Sequence, residues 1–280
     1  MGFGCNAVGV TGCRIIDSKR ERLIAMITNA FVPCNGRFPI LIAMVSIFIV
    51  SGGGFVNGIW SALVVLALIL VSIIATLGAS KLLSHTFLRG EPSAYTLELP
   101  PYRTPKVWQV IVRSVFDRTL FVLGRAVLIA APAGLVLWLL ANITVGDSSL
   151  LVVISDSLNR VGAFFGMDGA ILLGFILALP ANEIAIPIML MIYTRGGALV
   201  EYASLSELRL LLTSNGWTLT TAICVSLFTI FHFPCSTTLL TIKKESGKWR
   251  WAVLAALLPT ALGLVLCLCV RLLSDAIAVL

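Results

Sequence analysis

The stretch LPANEIAIP, residues 179–187, places a glutamate between two prolines inside a run that is apolar enough to cross a membrane. A lone carboxylate at bilayer depth is costly unless a partner or water accompanies it. Each proline removes a backbone hydrogen bond, and a helix in contact with lipid cannot leave its polar groups unpaired. The stretch therefore predicts a broken membrane helix, with Glu183 buried beside the break as a functional residue.

Composition supports a membrane location for the whole chain. Of 280 residues, 59% are hydrophobic and 12% are charged, whereas soluble domains carry roughly 25% charged residues. The length suits about six crossings of roughly 20 residues each. The predicted fold class is all-α, a polytopic helical membrane protein with broken or re-entrant helices. The seven cysteines have no zinc-finger or CxxC spacing, which favours free thiols.

Apolar runs predict where the chain crosses. Uninterrupted spans are expected at 59–80, 120–141 and 251–273. Interrupted spans are expected at 23–50, 169–193 and 217–242. The polar stretches 12–22 and 194–216 are expected as loops. In the connector 81–119, residues 106–118 predict an amphipathic helix with Trp108 and Ile111 on its apolar face. Such a helix lies in the membrane interface, or it packs on a partner domain.

The distribution of Lys and Arg predicts sidedness. Segments 12–22, 81–119 and 243–250 are basic and expected in the cytoplasm, whereas 51–58 and 142–158 contain no Lys or Arg and are expected outside. If every apolar segment crossed, 243–250 would face outward. We therefore expect one broken segment to be re-entrant. A dip of residues 150–166 into the membrane and a failure of the charge rule are the alternatives.

The interruptions occur twice along the chain. FVPC (31–34) resembles HFPC (232–235), and GFGCNAVG (2–9) resembles GFILALPANEIA (174–185) in placing a polar residue beside Asn. Paired interruptions in two halves are typical of a transporter's midplane site. The sequence predicts two gate-type repeats: 1–80, a first repeat and the span after it, and 120–280, a second repeat and the last span. The connector 81–119 separates them.

Side chains at the breaks predict a metal site, whose expected members are Cys5, Asn6, Cys34, Asn182, Glu183 and Cys235. Thiolates, a carboxylate and the carbonyls freed by broken helices suit a borderline divalent transition metal better than calcium or magnesium. The alternative for the three thiols is burial as small hydrophobes. His232 is open as a ligand or proton relay, and Cys224, Cys267 and Cys269 are expected to pack.

Four motifs carry a family resemblance. GFGCNAVGVTGCRIIDSKRER (2–22) with VPC (32–34), LELPPYRTP (97–105), LPANEIAIP and FPCSTTLLTIKKESGKWRWA (233–252) resemble, in order, the ferrous iron transport protein B family. The resemblance implies a multi-pass permease of the bacterial inner membrane. Its substrate would be Fe²⁺, with no permanently bound cofactor. Cys5, Cys34, Glu183 and Cys235 fall on motif positions, whereas Asn182 stands where many members have Lys, which leaves proton coupling open.

The resemblance also implies partners. Members of the family carry a GTP-binding domain with a G-x-x-x-x-G-K-[ST] motif, which these 280 residues do not contain. We therefore expect this sequence to be the C-terminal membrane half and not an enzyme by itself. The expected partners are the lipid bilayer, Fe²⁺ and a GTP-binding domain or N-terminal membrane half on another chain. A homo-oligomer stays open, and nucleic acid is not expected.

Other function classes are weighed on their residues. An intramembrane hydrolase needs a nucleophile with a base in reach, and the sequence offers only His232 near Ser236. A non-transporting gate-domain scaffold or a nucleoside-type gate protein is the second alternative. Protection of Cys34 and Cys235 by Fe²⁺ would discriminate against the scaffold.

Overall fold

The computed structural model describes residues 1–49, 55–86, 88, 106–113, 115–116, 120–145, 148–199, 202 and 204–279. The α-helices there are α1 (Asn6–Gly12), α2 (Lys19–Thr28), α3 (Phe38–Met44), α4 (Phe55–His85), α5 (Val107–Arg113), α6 (Phe121–Asn142), α7 (Leu150–Phe164), α8 (Gly169–Leu177), α9 (Ala185–Thr194), α10 (Leu205–Ser214), α11 (Leu219–Phe231), α12 (Ser236–Ser246) and α13 (Trp249–Val279). A two-residue pair, β1 (Thr144–Val145) and β2 (Ser148–Ser149), is antiparallel.

Among the described residues, four helical stretches are long and apolar enough to cross a membrane by length and composition: Lys19–Ile49, Val56–His85, Leu219–Ser246 and Trp249–Ile277. Helix α6 has 22 residues, which at about 1.5 Å per residue also covers a hydrocarbon core of about 30 Å. Helix α4 directs large apolar side chains such as Trp60 and Leu70 outward, as contact with lipid requires. The predicted all-α, multi-pass membrane class is confirmed.

Helices α8 and α9 form a re-entrant hairpin. At its mouth, the Tyr193 hydroxyl near the end of α9 donates to Asp168 Oδ2, at the start of α8, over 2.5 Å. Farther in, Gly174 lets the two helices approach, because a Cβ there would stand 2.7 Å from Met189 Cγ. The chain therefore enters and leaves on one side. Helix α7 meets α8 at 108°.

The two other interrupted runs continue after their breaks. Between α2 and α3 lie the 3₁₀ turns Asn29–Phe31 and Asn35–Arg37, separated by extended backbone. Between α11 and α12, His232 has φ −73° and ψ 169°, which is extended. Both interruptions occur at Pro-Cys, because a proline lacks the amide that the helical ladder needs.

Contacts between loops establish which segments share a face. Arg14 pairs with Glu245 at 2.6 Å, and Arg20 donates to Ser84 O at 3.3 Å. Segments 12–22, 243–250 and the end of α4 therefore lie together, and Glu245 raises the pKa of Arg14 through their hydrogen bond. Asn142, at the end of α6, donates to Gly197 O at 3.3 Å, which joins that end of α6 to the segment after α9. Which side of the membrane each segment faces stays a prediction.

Two predicted loops are partly helical. Helix α2 begins within 12–22 because Ser18 accepts from the backbone N–H of Glu21. Helix α10 lies in 194–216, capped by Ser204 and buried through Leu208 and Leu212. The prediction was wrong there because polar and charged residues such as Glu207 and Arg209 interrupt the apolar run, while leucines spaced four apart supply an apolar stripe.

The connector is described only in part. Helix α5 (Val107–Arg113) confirms a helix at the start of the predicted 106–118 element. Trp108 and Ile111 are exposed on it, and so is Val110. LELPPYRTP, the turn residues 51–54 and the end of the amphipathic element lie outside the described residues. The repeat boundaries at 80 and 120 stay a prediction.

Candidate functional site

The four predicted breaks meet at one centre. Within the first half, the backbone N–H of Asn35 donates to Gly4 O at 3.2 Å, and within the second, that of Ser236 donates to Leu179 O at 2.8 Å. Between the halves, the turn Asn35–Arg37 packs against the turn Asn182–Ile184. Helix α8, which leads to this centre, has nine residues and rises about 13 Å.

A buried polar chain joins the halves at the centre. Asn182 lies 3.8 Å from Cys34 Sγ and 3.3 Å from His232 Nε2. His232 Nδ1 lies 2.9 Å from Thr229 O, so a neutral ring carries its proton on Nδ1 and accepts at Nε2. Because His232 Nε2 accepts, the amide nitrogen of Asn182 is assigned to the His232 side, where it donates. The amide oxygen then faces the Cys34 thiol, since amide orientation is assigned from such networks.

Arg37 fills the gap left by the α11–α12 break. Its Nη1 donates to Ile230 O at 2.8 Å, and its Nη2 donates to His232 O at 2.9 Å and to Phe233 O at 3.2 Å. The residue is 0% exposed. The cation at these freed carbonyls is therefore a side chain in this conformation, and the expectation that they serve a metal stays a prediction.

Cys235 and Cys5 begin helices beside the centre without capping them. Cys235 precedes α12, is half-buried, and its Sγ lies 3.2 Å from Thr238 Oγ1. Cys5 precedes α1 and is half-buried. Cys34 precedes the turn Asn35–Arg37 and is buried. The side chains of Cys34 and Cys235 both lie near the guanidinium of Arg37.

Glu183 lies at the break but not where the sequence suggested. The prediction that its side chain is buried was wrong, because it is exposed. The 3₁₀ turn Asn182–Ile184 directs Asn182 inward and the next residue outward. Glu183 Oε2 would stand 3.6 Å from a Cβ on Gly36. The carboxylate thus borders the first half at the rim of the centre.

Asn6 is 2% exposed at the first turn of α1. Its backbone carbonyl accepts from Asn29 Nδ2 at 2.9 Å. Within the described part of the chain, neither polar atom of its side chain has a hydrogen-bond partner. A buried amide without partners is costly, which makes Asn6 the candidate residue whose environment is least explained by the protein itself.

The predicted ligands are not assembled into a coordination shell. Over the described ranges, no three His, Cys, Asp or Glu side chains are grouped closely enough to hold a metal ion. All seven cysteines are free. Cys224 and Cys267 pack as expected, with Cys267 Sγ 3.3 Å from Cys224 O, whereas Cys269 is exposed and the packing prediction was wrong for it.

The hydrolase alternative has no geometric basis. His232 Nε2 faces Asn182, and Ser236 Oγ has no hydrogen-bond partner among the described residues. A serine nucleophile would need its base within hydrogen-bond reach. The observed role of His232 is to hold the Asn182 amide.

Sequence reasoning missed Arg37. The sequence could have predicted its role, because this arginine follows a Pro-Cys break by three residues and lies inside a predicted span. A charge at such a position requires a partner. Arg37 was overlooked because the run NGR reads as a polar turn. Thr238, beside Cys235, carried no signal that distinguishes it from other threonines.

The fold and centre define a class of membrane protein. Interrupted helical spans and the α8–α9 hairpin bring their breaks together at one buried polar centre. Helices beside this centre are long and apolar enough to cross a membrane. Paired interruptions of this kind are typical of membrane transporters.

Comparison with known proteins identifies the family. Residues 65–118 match the family model "Ferrous iron transport protein B C terminus", and residues 123–249 match Gate, "Nucleoside recognition". The chain therefore carries the C-terminal region of the ferrous iron transport protein B family, and the resemblance seen in the sequence is confirmed.

Individual relatives agree. The chain is 30% identical over 280 residues to an Fe(2+) transporter FeoB of Staphylococcus aureus (strain MSSA476), with 95% of this chain and 38% of that protein covered. It is 28% identical to one of Leptospira interrogans, with 88% and 38% covered. A transport protein A/FeoB fusion of Porphyromonas gingivalis is 23% identical, with 94% and 36% covered. The chain thus spans under two fifths of these relatives. No solved structure matches.

Proposed function

We propose that this chain is the membrane permease part of a ferrous iron uptake transporter and that Fe²⁺ passes through the centre where the breaks meet. The observation that carries the proposal is the convergence of all four breaks around Cys34 and Asn182. The relatives named as Fe(2+) transporters supply the substrate. The bacterial inner membrane is the proposed location.

The residues at the centre have separate roles in this proposal. Glu183, exposed at the rim, attracts the hydrated cation and replaces part of its water. Cys34 and Cys235 offer soft thiolate ligands, and Asn182 offers its amide oxygen. Cys5 and the unpartnered amide of Asn6 complete the shell from the first half.

Transport requires that these ligands assemble only transiently. A site that binds too well does not release its ion, and the observed separation of the candidate ligands fits a centre that closes around the cation and opens again. Thiolate ligands favour copper and zinc over iron in intrinsic affinity, so selection for Fe²⁺ comes from geometry and availability. The proposed energy source is a GTP-binding domain outside these 280 residues.

Uptake of radioactive iron tests the proposal. The chain would be expressed with the remainder of the transporter in bacteria that lack their own ferrous uptake. Replacing Glu183 by alanine should abolish Fe²⁺ uptake while membrane insertion is retained, because the rim loses the carboxylate that stands at the break. Glu207→Ala, a carboxylate on α10 away from the centre, is the matched control. Wild-type uptake by the Glu183 variant would remove this residue from the path.

The Gate match supports one rival function, because its description concerns nucleosides. Labelled nucleosides offered to the same cells separate the two. Uptake of a nucleoside without uptake of iron would replace the proposal by a nucleoside-type gate protein. Uptake of neither, with correct insertion, would support a scaffold.

A further inference from the structure

One arginine joins the two interrupted spans. Arg37 ends the turn Asn35–Arg37 in the first half, and its guanidinium donates to Ile230, His232 and Phe233 in the second. Those carbonyls are free because α11 ends at Phe231 and α12 begins only at Ser236. The arginine thus satisfies acceptors that a continuous helix would pair with its own amides.

The same guanidinium also contacts its own half. Nη1 lies 3.5 Å from Ala30 O, at the end of the first-half helical run. Carbonyls from both interrupted spans therefore surround one cation. Hydrogen bonds from a charged donor are strong where water is excluded. The position of one break relative to the other depends on this side chain.

The arrangement is a costly way to join two helices. Arg37 is fully buried, yet its Nε has no partner among the residues that the structure describes. Apolar packing of similar volume often gives equal or greater stability than a buried charge. Stability alone therefore does not explain an arginine here.

We propose that Arg37 is a positioning residue, a clamp that holds the two interrupted spans together and keeps Cys34 covered. While the clamp is closed, the guanidinium occupies the carbonyls of Ile230 and His232 and excludes a metal cation from them. When it opens, the spans separate at the break and Cys34 becomes accessible. The inference rests on the proposed permease function, in which a midplane site must change its access between faces.

The clamp can be tested by the reactivity of individual cysteines. The 280-residue chain in native membranes would be treated with N-ethylmaleimide, and alkylation at each cysteine would be followed by mass spectrometry. The variants are Arg37→Gln and Arg37→Lys, with Arg209→Gln as an exposed control. Cys224 and Cys267, which are buried in the second half, report any general loss of packing.

We expect Arg37→Gln to raise the alkylation rate of Cys34 roughly tenfold or more, because charge-assisted bonds that hold the closed arrangement are lost. Cys224 and Cys267 should keep their wild-type rates. In Arg37→Lys, the alkylation rate of Cys34 should lie between the wild-type rate and the Arg37→Gln rate. An ammonium keeps the charge but cannot donate to several carbonyls in the fixed geometry of a guanidinium. The Arg209 variant should match the wild type.

Two results would overturn the clamp. One is a Cys34 rate that does not change in Arg37→Gln. The other is a rise at Cys34 that occurs only together with a rise at Cys224 and Cys267, which would show a general folding role. The alkylation rate is measured without iron and without transport, so a failure of the uptake experiment does not contradict the clamp. An unchanged Cys34 rate likewise leaves the permeation proposal standing.

Discussion

The two Pro-Cys breaks start from nearly the same sequence and reach different structures. After Cys34 the chain continues as Asn-Gly-Arg, and after Cys235 as Ser-Thr-Thr. Arg37 reaches across to the other half, whereas Thr238 turns back toward Cys235 in its own half. Cys34 is buried and Cys235 half-buried.

The difference shows that two breaks of similar sequence can have different structural roles. The first-half break supplies the cation that satisfies the second-half break. The second half in turn supplies Asn182 and His232, which cover Cys34. Each break is therefore incomplete without the other, and the interface between the halves, rather than either repeat, forms the polar centre.

The largest expected difference in stability is between substitutions of Arg37 and of Thr238. Arg37→Met relieves the desolvation of a buried charge but leaves the carbonyls of Ile230, His232 and Phe233 unpaired. Because each buried unpaired acceptor costs about 1–3 kcal/mol, the free energy of unfolding should fall by about 3 kcal/mol or more. Thr238→Val removes one hydroxyl contact and should cost about 1 kcal/mol. Equilibrium unfolding in detergent micelles measures both. Equal losses would mean that the two breaks are supported alike.

An intermediate effect separates Asn182 from Asn6, the asparagines of the two remaining breaks. Asn182→Leu keeps the shape but leaves His232 Nε2 without a partner, which should cost about 1–3 kcal/mol. Asn6→Leu removes buried polar atoms that have no partner in the described structure, and should leave stability unchanged or raise it, because a buried unpaired amide is itself costly. The same unfolding measurement applies. A large loss at Asn6 would reveal a bound water or ion that its amide holds.

The smallest effect concerns the wild-type thiols. Cys235 should react with a small maleimide several times faster than Cys34, because only the former is half-exposed. Added Fe²⁺ should slow both reactions if both thiols bind it. Protection of Cys235 alone would restrict the metal path to the second-half break, and Mg²⁺ is the matched control because it prefers oxygen ligands.

Much of the fold could be predicted from the amino-acid sequence. Runs of apolar residues predicted α4, α6 and α13, since about 20 such residues suffice to cross a bilayer. Prolines predicted the breaks, and the excess of Lys and Arg predicted that 12–22 and 243–250 share a face. The re-entrant hairpin followed from reconciling those two predictions. Helix α10 was missed because its buried leucines stand among charged residues.

By itself, the sequence determined the membrane class, the positions of the breaks and the residue types placed there, because hydropathy and the missing amide of proline are local properties of the chain. Only the tertiary structure decided which partners those residues meet. Arg37 finds a carbonyl 193 residues away, and Asn182 turns inward while Glu183 faces out. Such choices depend on how two halves pack, and no local pattern of residues encodes that contact.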